Sequence, residues 1–205
     1  MAELSLWGTI ENLISNQWQR LAYAGTWYTG EQKVAIAQVV RESQAGVALS
    51  SNALPDVVTA AARKIAVDAH LIDQAWVEEC YSRGLEPLHL VELTALVAQL
   101  STFDTYKRGI GEQPIRLPFP QSGEPSQEEV KGTRMVRGWY PTRGVAGAPN
   151  CFSAVKLEHE ALHKIHSLLY LSMEEMANLE IVKTLHRSQI ELLAARTSLY
   201  NDCFY

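Results

Sequence analysis

The sequence lacks any long hydrophobic run, any excess of positive charge and any dense set of cysteines. Because no stretch of about 18 apolar residues occurs, no segment is predicted to span a membrane. The 18 Lys and Arg against 23 Asp and Glu, a formal charge of -5, argue against a nucleic-acid partner, which would require a basic face. Three distant cysteines, Cys80, Cys151 and Cys203, do not suit a secreted disulfide framework. The N-terminus lacks the basic region of a secretory signal, so we expect a cytoplasmic protein.

Most of the remaining sequence has helical periodicity. Apolar residues recur three and four positions apart from Leu6 to Leu21 and again within residues 32–43. Pro55 and Pro87 open two further periodic stretches, as prolines at helix starts do, and Gly84 follows another as a helix stop. No alternating strand pattern competes with these stretches. We therefore predict an all-α fold.

A Gly/Pro-rich stretch interrupts the helical sequence. Residues 109–149 hold six of the eight prolines and seven of the twelve glycines, a composition that breaks periodic structure. We expect the basic residues of this stretch to form a solvated loop; they include Lys131, Arg134, Arg137 and Arg143. The predicted organisation is an N-terminal helical unit (1–111), a crossover (112–150) and a C-terminal helical unit (151–205).

The C-terminal unit is predicted to be helical from Phe152 to the end, with one break. Ser172 and Glu175 have the spacing of a capping box, which marks the start of a new helix. Ser188 and Glu191 have the same spacing and predict a second start.

A faint internal repeat relates the two helical units. When the chain is shifted by 99 residues, "VELTALVAQLSTFDTY" (91–106) aligns with "IELLAARTSLYNDCFY" (190–205) and five of the sixteen positions are identical. The shift places Glu92 over Glu191, Asp104 over Cys203 and Tyr106 over Tyr205. A fold built from two related helical units is expected.

One motif suggests a metal site. Residues 159–163, "HEALH", match H-E-x-x-H, in which His159 and His163 would bind Zn²⁺ and Glu160 would act as general base. The further ligand of the longer form of this motif is missing, because His166 and Leu169 take the positions of its Gly and third His. The alternative is an amphipathic helix whose polar face carries Glu158, His159, Glu160 and His163. We predict no metal site here and keep a zinc hydrolase as the rival.

The last segment carries the main functional signal. "HRSQIELLAARTSLYNDCFY" resembles the helix before the active site in the carboxymuconolactone decarboxylase/alkylhydroperoxidase D superfamily. Members of that superfamily carry a Glu, a C-x-x-C pair whose first Cys lies twelve residues later, and a His four residues after the second Cys. Glu191 and Cys203 match the Glu and the first Cys. Residues 54–100 are similar to the preceding stretch of two-unit relatives. Residues 27–49 resemble an earlier unit, in which Gly46 and Leu49 stand at the cysteine positions.

The resemblance implies a helical bundle of the alkylhydroperoxidase D type that acts as a thiol peroxidase or thiol-disulfide oxidoreductase. In that chemistry a thiolate attacks the peroxide and the resulting sulfenic acid condenses with a second thiol. The implied roles are a redox cysteine for Cys203 and a proton relay for Glu191, with no cofactor. A small peroxide is the implied substrate, and a homo-oligomer and a thiol reductant protein are the implied partners.

The match to this superfamily is incomplete. The second Cys would be residue 206, so we expect impaired activity in the chain as given unless Cys80 or Cys151 pairs with Cys203. One alternative is a non-catalytic helical assembly or binding protein on the same scaffold. Another is a lactone decarboxylase, which would use proton transfer at a carbon acid and would need a basic anchor such as Arg196.

Overall fold

The computed structural model describes residues 2–145 and 147–203, with side chains described from Leu6 onward. Within these residues the chain forms eight α-helices and one two-stranded sheet, so the predicted all-α class is confirmed apart from a hairpin that the sequence did not predict. The helices are α1 (Ala2–Arg20), α2 (Gly30–Ala45), α3 (Asp56–Val67), α4 (Gln74–Ser82), α5 (Pro87–Gly109), α6 (Lys156–Leu169), α7 (Met173–Met176) and α8 (Arg187–Tyr200), and the strands are β1 (Thr133–Met135) and β2 (Pro141–Arg143). In the described part of the chain, no helix combines the length and apolar character needed to cross a membrane.

Local sequence explains where several helices begin and end. Thr29 caps α2 in a capping box with Gln32, and Gly46 ends that helix in the left-handed region at φ 67°. Asp73 caps α4 by accepting a hydrogen bond from the Trp76 backbone N–H. Pro87 lies in the first turn of α5, where its missing N–H costs no hydrogen bond.

The chain divides by contact into unit 1 (Met1–Leu162) and unit 2 (His163–Tyr205). The predicted ranges followed composition and end at residues 111 and 150, whereas this division falls within α6. In unit 1, α2, α3 and α5 pack against one another. Helix α5 is buried along nearly its whole length, which is why its sequence has little polar face. Its fully buried residues are Leu90, Val91, Glu92, Leu93 and Ala95.

The Gly/Pro-rich stretch of unit 1 is tied to its helices by backbone hydrogen bonds. Gln121 N–H donates to the Ala22 carbonyl at 2.8 Å and Ser126 N–H donates to the Gly25 carbonyl at 3.1 Å. Further along, β1 and β2 pair antiparallel, with Thr133 opposite Arg143. The predicted basic cluster is exposed, as expected, but three of its members lie on this hairpin rather than in a loop.

Unit 2 is less regular than predicted. The capping box of Ser172 and Glu175 is confirmed and starts α7. The prediction of helix from there to the end is wrong, because α7 stops at Met176 and an irregular segment with an isolated Val182–His186 bridge precedes α8. Tyr205, the last match of the internal repeat, lies outside the described residues.

One face of α8 is apolar and exposed to solvent. Leu192, Leu193, Leu199 and Tyr200 are 61%, 56%, 74% and 76% exposed. Their spacing of seven residues (192 with 199, 193 with 200) places them along one stripe of the helix. By contrast, the repeat partner of Leu192 is Leu93, which is 0% exposed in α5. Equivalent positions of the repeat therefore have opposite environments.

We predict that Leu93→Ala and Leu192→Ala differ widely in their effect on the free energy of unfolding. Loss of the buried Leu93 side chain should lower the free energy of unfolding by about 2–5 kcal/mol, because it leaves a cavity in the core. Loss of the exposed Leu192 side chain should change it by less than about 0.5 kcal/mol. Urea unfolding followed by circular dichroism compares the two variants directly. Similar costs for both would contradict the exposed position of Leu192.

Candidate functional site

The predicted site residues lie in unit 2, on and just beyond α8. His186 caps this helix: its Nδ1 accepts from the Ser188 N–H, and the Gln189 side chain accepts from the His186 N–H. The predicted capping box of Ser188 and Glu191 is therefore wrong by two residues. An imidazole nitrogen replaced the expected hydroxyl as the capping acceptor. Glu191 is consequently free of the helix start and lies in the second turn of α8.

Glu191 is held by two neighbours within unit 2. Its Oε1 lies 2.7 Å from Arg187 Nε, in an ion pair one turn apart on α8, and accepts a hydrogen bond from Tyr170 Oη at 2.8 Å. Burial, together with the adjacent Glu191 carboxylate, raises the pKa of Tyr170, so this phenol remains a donor at neutral pH. The Glu191 side chain is 43% exposed and keeps contact with water.

Cys203 lies at the end of the turn that terminates α8. The Cys203 N–H donates to the Ser198 carbonyl at 2.9 Å and the Asp202 N–H donates to the Leu199 carbonyl at 3.3 Å. Asp202 has φ 51°, so this is a Schellman ending with aspartate in the left-handed position usually taken by glycine. The turn leaves Cys203 exposed to solvent.

The other two thiols have different surroundings. Cys80 is buried on α4 and Cys151 is half-buried. Burial is the main cause that raises the pKa of both thiols, and the Glu79 carboxylate raises that of Cys80 further. Fewer thiolates are therefore present at these two positions at neutral pH, and both sulfurs are less open to an incoming reagent. All three cysteines are free thiols.

The structure does not bring Glu191 and Cys203 into contact. At about 1.5 Å of rise per residue, the seven residues from Glu191 to Ser198 separate the carboxylate from the Cys203 turn by roughly 10 Å along the helix. A proton passing between Cys203 and Glu191 would thus travel through solvent.

Arg196, the candidate anchor of the decarboxylase alternative, lies over the Tyr200 ring at 6.0 Å from its centroid.

The repeat partner of Glu191 has a far more perturbed environment. Glu92 on α5 is 0% exposed, and its Oε2 accepts a hydrogen bond from the Trp27 N–H at 2.6 Å. Its Oε1 is pressed against Gly25, where an added Cβ would lie 2.0 Å away, so only glycine fits there. Burial, followed by repulsion from Glu158, raises the pKa of Glu92 to about 7.

Further buried charges surround Glu92 in unit 1. Lys33 is 2% exposed and donates to the Arg20 and Tyr23 carbonyls at 2.7 and 3.1 Å. Glu158 accepts from Arg20 at 3.0 Å and from Gln99. A cavity of about 20 Å³ beside Lys33 and Glu158 has room for one water molecule but not for an organic substrate. We call the buried Glu92, Lys33 and Glu158, together with the half-buried Arg20 and Gln99 that hydrogen-bond to Glu158, the buried charge cluster.

Sequence reasoning missed this cluster. It placed Glu158 on the solvated face of its helix, whereas Glu158 is buried and Leu157 is exposed. The sequence did contain one signal for the cluster, which is Glu92. This carboxylate is flanked by Val91 and Leu93 in an apolar helix, and the repeat aligns it with Glu191. A charge in such a setting is buried and requires partners.

The H-E-x-x-H motif lies on α6. Across residues 2–145 and 147–203, no group of three or more His, Cys, Asp or Glu side chains is placed to hold a metal ion. A catalytic zinc requires three protein ligands, and the histidines of the H-E-x-x-H motif supply two.

Comparison with known proteins gives no relative for this chain. No family model, no curated protein and no solved structure matches it.

We predict that Glu92 makes stability fall with rising pH. Because burial raises its pKa from 4.5 to about 7, the folded state holds this proton more tightly than the unfolded state. Its contribution to stability is full below pH 4.5 and is lost as the pH rises through about 7, by an amount on the order of 3 kcal/mol.

Urea unfolding at several pH values between 4.5 and 8 measures this effect. Glu92→Gln, which cannot ionise, should flatten the fall in stability over that window. Glu160→Gln, a substitution at an exposed carboxylate of α6, should leave the slope as in the parent. The same slope in the parent and in Glu92→Gln would refute the buried, protonated state of Glu92.

Proposed function

We propose that this protein is a thiol-dependent peroxidase or thiol-disulfide oxidoreductase of the alkylhydroperoxidase D type, with Cys203 as its reactive thiol. The observation that carries the proposal is the contrast among the three cysteines. Cys203 is exposed beyond a helix end, while burial raises the pKa of Cys80 and Cys151. Of the three thiols, Cys203 is therefore the one most accessible to a peroxide in solution.

The proposed reaction consumes one peroxide and two external thiols. The Cys203 thiolate attacks one peroxide oxygen, the O–O bond breaks, and the products are a sulfenic acid on Cys203 and, after protonation, an alcohol or water. A first external thiol condenses with the sulfenic acid, releasing water and leaving a mixed disulfide. A second external thiol attacks that disulfide and restores the Cys203 thiol. The peroxide gains the two electrons that the two external thiols lose.

Glu191 is proposed to assist as a proton acceptor. Its carboxylate is half-exposed and is fixed by Arg187 and Tyr170, so it can take the thiol proton through intervening water. Because this path is indirect, Glu191 should influence the rate without being indispensable. The resemblance to the superfamily helix supports both roles on the matching positions.

A second candidate is a non-catalytic assembly protein, favoured by the exposed apolar stripe of α8. An exposed apolar stripe commonly marks an interaction surface, and another copy of this chain would cover Leu192, Leu193 and Leu199. Under this alternative Cys203 reacts with peroxide no faster than a simple exposed thiol. Sedimentation velocity would reveal the assembly.

We predict that peroxide consumption with dithiothreitol as the external thiol depends on Cys203. The Cys203→Ser variant should lose the activity, because serine cannot form a sulfenic acid. Glu191→Gln should slow it by about tenfold, which is less than the roughly 10²–10⁴-fold of a directly placed general base, because the proton path runs through solvent. The measurement is the rate of hydroperoxide loss at neutral pH, corrected for the rate with dithiothreitol alone.

Cys151→Ser is the matched control and should retain the parent rate. A Cys203→Ser protein that consumed peroxide at the parent rate would remove the assignment. Equal and slow rates for the parent and Cys203→Ser would leave the assembly protein as the better account.

A further inference from the structure

A larger cavity of unit 1, open to solvent on one side, lies between α4 and the β1–β2 hairpin and has a volume of about 320 Å³. Its α4 wall is formed by Gln74, Val77, Glu78 and Tyr81, whose spacing of three, four and seven residues places them on one helix face. Met135, Gly138 and Trp139 of the hairpin form the opposite wall. The volume lies at the lower end of the range for small-molecule sites.

The two walls are tied to each other. Tyr81 Oη donates a hydrogen bond to the Trp139 carbonyl at 2.8 Å, so the hairpin is fixed to the helix at the edge of the cavity. Gly138 has φ 77°, a conformation that strongly favours glycine, and it lies in the same wall as Met135 and Trp139. The floor is Val77, which is 2% exposed.

The lining has a specific chemical character. Tyr81 and Trp139 supply aromatic surface and Met135 supplies a polarisable thioether. Glu78 is the one charged residue among the seven that line the cavity, and its Oε1 accepts a hydrogen bond from Gln74 Nε2 at 2.7 Å. None of these seven residues is Lys, Arg or His. Aromatic surface beside a carboxylate attracts organic cations, and methylated ammonium groups above all.

We propose that this cavity binds a small organic cation with a methylated ammonium group, of which choline is the simplest probe. A neutral apolar ligand fits less well, because it lacks the positive charge that the aromatic rings and the Glu78 carboxylate attract. Arg134 and Arg137 of the hairpin are exposed and do not line the cavity. These two arginines repel a bound cation through solvent, where salt screens the repulsion over about 8–10 Å. The residues that line this site all belong to unit 1, and the proposal does not rest on the proposed thiol chemistry.

Isothermal titration of the full chain with choline and with 3,3-dimethylbutan-1-ol tests the charge requirement, because the alcohol has nearly the same shape but no charge. Choline should bind saturably at millimolar concentration, and the neutral analogue should bind at least about tenfold more weakly. Equal binding of the two would show a plain apolar cavity and would overturn the proposal. The absence of saturable choline binding would overturn it as well.

Variants of the lining residues test whether choline binds in this cavity. Trp139→Leu and Glu78→Gln should each weaken choline binding by about tenfold. Glu79→Gln removes a neighbouring α4 carboxylate that pairs with Arg83 and does not line the cavity, so it should bind as the parent does. Glu78→Gln changes an exposed side chain and keeps the test valid if Trp139→Leu fails to fold. Choline binding that is unaffected by Glu78→Gln would contradict the assignment.

Discussion

The structure of unit 1 depends on the burial of a carboxylate, Glu92, in the middle of its central helix. A buried charge is tolerated only where partners or a proton replace water, and the surrounding elements supply both. Gly25 gives the carboxylate its space and the Trp27 N–H gives it a hydrogen bond. The raised pKa keeps Glu92 largely protonated below about pH 7. The remaining members of the buried charge cluster connect α1, α2, α5 and α6.

Aligned residues of the two repeat segments have different surroundings. Glu92 is buried, whereas its counterpart Glu191 is half-exposed and paired with Arg187. Asp104 takes the place of Cys203 in α5 and is held by Arg41 through two hydrogen bonds of 2.7 and 2.8 Å. At this aligned position unit 1 therefore has an ion pair that locks α2 to α5. Thiol chemistry at the aligned position is open only to unit 2.

Apolar periodicity and end signals predicted the helices of unit 1, because these are local properties of the chain. Pro87, Gly84 and the Ser172–Glu175 capping box mark boundaries that the structure has. The start of α8 was misplaced because His186 is a rare capping residue. The burial of Glu158 could not be predicted, since it depends on Arg20 and Gln99, which are distant in sequence. Cys203 and Glu191 were predicted as site residues from the family resemblance and their spacing. The hydrogen bond from Tyr170 to Glu191 could be seen only in the structure, because Tyr170 lies 21 residues away in sequence.

The central functional claim is that Cys203 is the thiol that reacts with peroxide. It is tested most directly by treating the protein with less than one equivalent of hydrogen peroxide in the presence of a sulfenic-acid trapping reagent. Peptide mass spectrometry then locates the adduct. We expect the adduct on Cys203, with little on Cys80 or Cys151. An even distribution over the three cysteines, or an adduct confined to Cys151, would contradict the account.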